Sequence, residues 1–433
     1  MTTPAGSNLQ RNAGQADLSN SVPSVEQLTA SAEQVVARAE ATADASETLQ
    51  PLAIDGHEWT LFSESAPMLA ALEADIRAAR RRIWIETYIF ANDDAGRALV
   101  DLLAARAREG LDVRLMYDTV GSLLTPSSLF QPLAGAGVKV HAFHTLGEAF
   151  WRFRFFQLFN QRNHRKLIVI DDQIGYFGGM NIVDQSQVRS VEDERRRNLP
   201  SSSGWRDVHV RMVGPRQREL ARAVEELWQY AQHRRMTIGR RWPIRQMIKS
   251  EPDRFYFFDC RPMFRYRRAQ RVFVPLIRRA QHSITISMAY FIPFGRVLRE
   301  LLRARRRGVK IRVIIPGESD VRAVQCATRH FYARLLKRGI RIYERNDQML
   351  HSKAMVIDDE WSVLGSCNLD PRSLRTNLEF VAVARSRPLA AALLGVCRHE
   401  IKNSTRVTMA ECRNRTCWQR FIDRLAWSFR RLL

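Results

Sequence analysis

Cysteine is scarce. Six occur in 433 residues, and Cys412 and Cys417 are the only close pair. No CxxC pair is present, so neither a zinc site nor a disulfide framework is expected. The usage suits a reducing compartment. Long apolar runs are missing as well, and none approaches the roughly 18 residues of a spanning helix. The opening MTTPAGSNLQRNAG lacks the basic stretch and apolar run of a signal peptide. Any membrane role is therefore expected from the surface. Acidic residues are in deficit, with 45 Asp+Glu against 68 Lys+Arg and a net charge of +23. The imbalance is uneven. Residues 1–50 carry two arginines against six acids, a net of −4, which leaves +27 on the remainder. So basic a body fits a polyanion, either nucleic acid or an anionic membrane. Solubility alone does not need so one-sided an excess.

The length favours two domains with extra segments, and an apolar content of 45% allows sizeable cores. Residues 1–54 are rich in Ala, Ser, Thr, Gln and Glu and read as a disordered acidic tail. From there the chain repeats itself. RRIWIETYIF (81–90) reads as a buried strand, followed by a helix (96–109), the strand 111–118 and the strand 136–143. HSITISMAYFIP (282–293), a helix (296–307), the strand 309–316 and the strand 338–345 follow the same order. After each set comes a strand, a proline and a long helix, at 207–232 and 379–401. The pattern predicts an α/β domain with a largely parallel sheet, present twice. The expected boundaries are 55–235 and 251–405, with a basic linker at 236–250. Residues 406–433 carry Trp418, Phe421, Ile422, Leu425, Phe429, Leu432 and Leu433 on one helical face, with arginines off it. Such a helix either lies in a membrane interface or docks on its own core.

Both repeats carry HxK(x4)D(x6)GxxN. The first is HRKLIVIDDQIGYFGGMN, with His164, Lys166, Asp171, Gly178, Gly179 and Asn181. The second is HSKAMVIDDEWSVLGSCN, with His351, Lys353, Asp358, Gly365, Ser366 and Asn368. At average residue usage one such match has odds on the order of 10⁻⁷ per starting position. Two matches at the same place in two repeats are not chance. A His and a Lys two apart on a strand share a face. The glycines are expected to let backbone N–H groups approach an anion, and Asn adds a neutral donor. Joined, two half-sites offer two imidazoles and two ammoniums around one phosphate, with a nucleophile on one side and a general acid on the other. Asp171 and Asp358 complete the motif and are counted with the catalytic set, although a carboxylate after an apolar run more often closes a turn.

These paired motifs resemble the HKD motifs of the phospholipase D superfamily, over about residues 55–405. The resemblance implies two tandem α/β sandwich domains, pseudo-twofold symmetry and an active site at their interface. It implies a phosphohistidine intermediate, with His164 as nucleophile and His351 as acid/base, and neither metal nor cofactor. Lys166, Lys353, Asn181, Asn368 and Ser366 would hold the phosphate, with Gly179 standing where Ser is common. Asp207 and Glu379 take the places of the acids that orient the histidines. RNHRK, FGGMNI, YFIP (290–293), RGVKIRVIIPG (307–317) and GSCNLDPRSLRTNLEF (365–380) are similar to bacterial cardiolipin synthases, most of all the B type. That implies transfer of a phosphatidyl group between two phosphatidylglycerols with release of glycerol. The partners implied are phosphatidylglycerol and an anionic membrane surface, not nucleic acid, and the place implied is the cytoplasmic face of the bacterial inner membrane. A monomer would suffice. LGEAFWRFRFFQLFNQ (146–161) interleaves aromatics with Arg152 and Arg154 and is expected to form a lipid-entry lip. Gly137 and Gly339 lie 202 residues apart but His164 and His351 only 187, so the first copy carries 15 extra residues before its motif. The competing readings are a hydrolase, either phospholipase D or nuclease, and a non-catalytic binding protein.

Overall fold

The apolar runs fold as strands, and each repeat builds one sheet. The computed structural model describes residues 50–143, 161–184, 205–233, 243–261 and 268–430. The first repeat contains β1 (Leu52–Ile54), β2 (His57–Phe62), α1 (Ser65–Ala78), β3 (Arg82–Thr87), α2 (Asp94–Arg108), β4 (Asp112–Asp118), α3 (Gln131–Gly135), β5 (Lys139–Phe143), β6 (Leu167–Ile170), β7 (Ile174–Gly178), β8 (His209–Val213) and α4 (Gln217–His233). After α5 (Ile244–Ile248), the second contains β9 (Arg254–Cys260), α6 (Arg268–Arg279), β10 (Ser283–Met288), α7 (Gly295–Arg306), β11 (Lys310–Pro316), α8 (Arg322–Lys337), β12 (Arg341–Arg345), β13 (Lys353–Ile357), β14 (Trp361–Gly365), β15 (Glu379–Arg385), α9 (Arg387–Lys402) and β16 (Ser404–Arg406). The chain then forms α10 (Met409–Asn414) and α11 (Cys417–Ser428).

The two sheets share a seven-strand order and differ in the edge that carries the eighth strand, β1 beside β2 in the first and β16 beside β12 in the second. The first runs β1-β2-β8-β7-β6-β3-β4-β5 and the second β9-β15-β14-β13-β10-β11-β12-β16. Only β3–β4–β5 and β10–β11–β12 are parallel. The largely parallel sheet expected from the sequence is thus corrected to a mixed one. The reason lies in the connections. β6 and β7, like β13 and β14, are joined by three residues, which allow a hairpin but not a crossover.

The domain limits shift slightly. β1 begins before residue 55, and α5 occupies part of the expected linker, with Met247 fully buried in the second domain's core. The expected lip at 146–161 lies outside the described residues except for Gln161. The same holds for the acidic tail up to residue 49 and for residues 431–433.

The sheets face one another across a shared apolar layer. Trp59, Leu167, Phe177 and Val210 from the first domain join Phe255, Ala354, Val356 and Phe380 from the second in one cluster. Trp59 meets Phe177 and Phe255 edge-on, at 5.2 and 5.0 Å between centroids, and Phe177 meets Phe257 at 5.2 Å. The layer includes the β6 and β13 strands that follow the two HxK segments, so burying it also aligns the two motifs.

A buried clamp reinforces the layer. Arg165, the middle residue of the first HxK, reaches Glu86 of β3 at 2.6 and 2.7 Å and Asp259 of β9 at 2.9 Å. Its guanidinium matches the carboxylate fork of Glu86. Arg206 bridges in the same way, from Glu64 and Ser63 of one domain to Glu400 of the other, where Arg345 also binds.

Candidate active site

The segments leading into β6 and β13 make backbone hydrogen bonds across the two domains. Each pairs with the other repeat. His164 N–H donates to Leu378 O (3.0 Å), and Leu378 N–H to Arg162 O (2.8 Å). His351 N–H donates to Arg206 O (2.7 Å), and Arg206 N–H to Met349 O (2.8 Å). Leu378 and Arg206 immediately precede Glu379 and Asp207. The backbone bridges therefore deliver each acid to the opposite histidine.

The side chains follow. His164 Nδ1 lies 3.1 Å from Glu379 Oε2 and 3.0 Å from Ser366 O. His351 Nδ1 lies 2.7 Å from Asp207 Oδ2. Glu379 and Asp207, the acids singled out in the sequence, thus each contact the histidine of the other domain. A backbone carbonyl can only accept, so His164 Nδ1 carries a proton and its Nε2 keeps a lone pair. The Asp207 carboxylate favours the same tautomer on His351, whose Nδ1 also has the Lys353 Nζ at 2.8 Å. All four HxK side chains, His164, Lys166, His351 and Lys353, are buried.

Burial and like charge suppress the basic groups. Burial, then Lys166 and Lys353, push His164 well below the usual histidine range. Burial and Lys353 also lower His351, but Asp207 opposes them. Lys166 is pushed down to about 7 by burial and by Lys353. Its Nζ donates to His164 O at 2.8 Å and lies 5.1 Å above the Tyr88 ring. Lys353 is lowered by burial, opposed by Asp207 at 3.6 Å. An incoming anion would favour the charged forms of these buried basic groups. Asn181 and Asn368 are oriented for the same task. Their Oδ1 atoms accept from Ile89 N–H (3.1 Å) and Tyr290 N–H (3.4 Å), so each Nδ2 is turned out as a donor.

Three expectations are corrected. Asp171 and Asp358 are not in the catalytic set. Each sits at the far end of its strand, about 16 Å from the motif lysine at ~3.3 Å per residue. Asp171 accepts from the N–H groups of Arg80 (2.9 Å), Arg81 (2.8 Å) and Arg82 (3.1 Å), and Asp358 from those of Gln281 (2.8 Å), His282 (2.7 Å) and Ser283 (2.9 Å). Both have positive φ and close hairpins onto the start of β3 and β10. Second, Ser366 does not face the phosphate space with its hydroxyl, which donates to Glu379, and Gly179 occupies the matching place against Asp207. A Cβ on Gly179 would collide with the Asp207 carboxylate. Third, the turn amides are spent on the sheet, Gly179 N–H on Val208 O (2.8 Å) and Ser366 N–H on Phe380 O (3.0 Å). Gly179 makes room for the Asp207 carboxylate, and Gly178 and Gly365 for the backbone of the neighbouring strand, rather than cradling an anion.

Sequence reasoning missed several neighbours. Tyr88 meets the His164 ring at 4.9 Å, and Trp205 meets His351 at 5.1 Å. Tyr290 approaches His351 at 6.5 Å, and its hydroxyl donates to Asp320 at 2.7 Å. Tyr88 and Tyr290 do not share a repeat position. Tyr290 matches Ile89, since both donate to the motif asparagine, so a repeat alignment could not pair them.

The chain matches the family described as cardiolipin synthase, PLD-like domain, over residues 72–194 and 273–397. It belongs to that family. It is 32% identical to cardiolipin synthase A of Pseudomonas putida (strain GB-1) over 79% of this chain and 68% of the relative. It is 30% identical to a cardiolipin synthase of Alkalihalophilus pseudofirmus over 84% of this chain and 70% of the relative. The chain thus spans about two thirds of the length of these relatives, and the first of them bears the A-type name where its own features suggested B. The crystal structure of phosphatidylserine synthase from Haemophilus influenzae aligns with a TM-score of 0.62 at 14% identity, covering 92% of this chain and all of that one. The polyphosphate kinase of Porphyromonas gingivalis aligns at 0.51 and 12% over 79% of this chain and half of that one. At such identities the likeness is one of fold.

Proposed function

We propose that the protein is a cardiolipin synthase that transfers a phosphatidyl group from one phosphatidylglycerol to another. The observation that carries this reading is the crossed pair of histidine–carboxylate contacts. Each histidine has its Nδ1 against a carboxylate of the other domain and a lysine two residues further on. His164 is the nucleophile. Its Nε2 attacks phosphorus while His351, as imidazolium, protonates the departing glycerol oxygen. His351 then takes the proton of the second phosphatidylglycerol's hydroxyl, whose oxygen displaces His164 from phosphorus. Two acid environments support this division. Lys353 and His351 hold Asp207 below the usual carboxylate range despite its burial, so an anion faces His351, which is lowered less than His164. Burial raises Glu379 to about 7, which weakens the anion facing His164 and leaves that imidazole neutral and nucleophilic. Lys166, Lys353, Asn181 and Asn368 hold the phosphate oxygens. The net charge of +23 favours anionic phospholipid, and among the described residues no helix is long and apolar enough to cross a membrane. We place the protein peripherally on the cytoplasmic face of the inner membrane and active as a monomer, since one chain holds both half-sites.

The test is product analysis by mass spectrometry on phosphatidylglycerol micelles with chelator present, using wild type, His164→Ala and His351→Ala. The expected result is cardiolipin plus glycerol from wild type only. Phosphatidic acid instead would make the protein a hydrolase. Neither product, with DNA cut by the same preparation, would overturn the lipid reading.

A further inference from the structure

The C-terminal helix α11 does two things at once. One side docks on α8. Trp427 stacks on His330 at 5.0 Å between centroids, and buried Asp423 binds Arg415 at 2.9 Å and lies near Cys326. Asp423 beside Cys326 and Trp427 beside His330 mean that the two helices run in the same direction. The Cys417 end of α11 therefore points toward the Arg322 end of α8. There α8 leaves the loop that holds Asp320, the partner of Tyr290 beside His351.

The other side is bare. Trp418, Phe421, Ile422, Leu425 and Phe429 recur at helical spacing and are exposed, Trp418 by 67% and Phe429 by 55%. Trp418 and Phe421 stack on each other rather than on the body. Capping boxes at Thr408 and Thr416 fix both terminal helices, so the row is held out by a formed helix. Among the described residues the other large exposed apolar side chains are Leu123, Leu124 and Val321. These stand in matching loops, after β4 and after β11, at the rim of the active site. Among the described residues, every large exposed apolar side chain thus lies on α11 or in those two loops. Arg413, Arg420 and Arg424 are exposed on the same two terminal helices, off the apolar row.

We infer that α11 is a membrane-docking helix, which seats its apolar row among the acyl chains of an anionic bilayer and presents the active-site rim to the lipid. The inference rests on the lipid reading above and deepens it. A second protein surface would suit the apolar row alone. An anionic bilayer suits both the row and the arginines, whose stems can lie along the interface with their charges on phosphate.

The experiment uses the full chain and two variants of exposed residues, the triple Trp418→Ser/Phe421→Ser/Leu425→Ser and the double Arg420→Glu/Arg424→Glu. Flotation is measured with phosphatidylcholine vesicles with and without phosphatidylglycerol, at low and high salt. Turnover is measured separately on short-chain phosphatidylglycerol below its micelle concentration. The triple variant should bind vesicles about a hundredfold more weakly at either salt, with unchanged turnover on the dissolved lipid. The double variant should lose about tenfold, only at low salt and only with phosphatidylglycerol present. Wild-type binding by the triple variant, or no vesicle binding by the wild type, would overturn the inference. A wild-type dimer that the triple variant converts to monomer in light scattering would also overturn it and make the row a subunit interface. Normal vesicle binding by the wild type with no turnover on any phosphatidylglycerol would support docking and sink the catalytic reading instead.

Discussion

The two half-sites use one scaffold and differ in what surrounds the acid. At His351 the acid is Asp207, short, set against Gly179, and 3.6 Å from Lys353. At His164 the acid is Glu379, longer, bound by the Ser366 hydroxyl and by Asn377 Nδ2 at 3.4 Å. The first acid sits beside a cation and stays ionised; the second sits among neutral donors and is raised to about 7. The centre of each HxK also differs. Arg165 clamps both domains, whereas Ser352 has no such reach. A symmetric pair of motifs thus becomes an asymmetric pair of tools, and the asymmetry comes from side chains outside the motif's fixed positions.

The largest effect should come from the histidines. His164→Asn and His351→Asn should each lower turnover by about ten-thousandfold. A nitrophenyl phosphodiester needs no proton on its leaving group. With it, His351→Asn should still form a covalent phospho-adduct on the His164 peptide, seen by mass spectrometry, and His164→Asn none. An adduct on His351 would reverse the roles. Next is the clamp. Arg165→Met leaves Glu86 buried without its partner and should cost about 3–5 kcal/mol in denaturant unfolding, while Ser352→Ala should cost less than ~1 kcal/mol.

The acids come third. Asp207→Asn should lower kcat about a hundredfold and Glu379→Gln about tenfold, because only Asp207 is fully ionised near neutrality. Equal losses would erase the distinction between the half-sites. Fourth, Asp171→Ala and Asp358→Ala should each destabilise by about 1–3 kcal/mol with kcat nearly unchanged, since both serve as turn clamps. A large kcat loss from either would return them to the catalytic set. The smallest effect is in pH. Glu379 must ionise to hold the His164 proton, so kcat/KM should fall below about 7. Lys166 must stay protonated to hold phosphate, so kcat/KM should also fall above about 7. The profile of the wild type should be a narrow bell near neutrality. Glu379→Gln should keep only the alkaline limb, and an unchanged profile would place the acid limb elsewhere.

Much of this was legible in the residues. The run IWIET between Arg82 and α2, and LIVI after Lys166, are too apolar for a surface and too short for buried helices, so they read as strands. The recurrence of HxK(x4)D(x6)GxxN announced a doubled site because spacing is a local property. The parallel-or-antiparallel choice was less legible, since strand periodicity carries no direction. It followed from the three-residue links at Asp171–Gln173 and Asp358–Glu360. The roles of Asp171 and Ser366 were misplaced for a related reason. Their types fit chemistry, but their partners, the N–H groups of Arg80–Arg82 and the carboxylate of Glu379, lie 89–91 and 13 residues away.

The sequence by itself determined the two repeats, the strand cores, the histidine–lysine pairs and the basic excess, because each depends on residue type and spacing along the chain. Only the tertiary structure decided that each histidine is served by the other repeat's acid, that Asp207 and Glu379 stand in different fields, and that α11 keeps its apolar row outside. Those depend on which backbone edges pair between domains and on what burial does to charge, and both are properties of packing rather than of order along the chain.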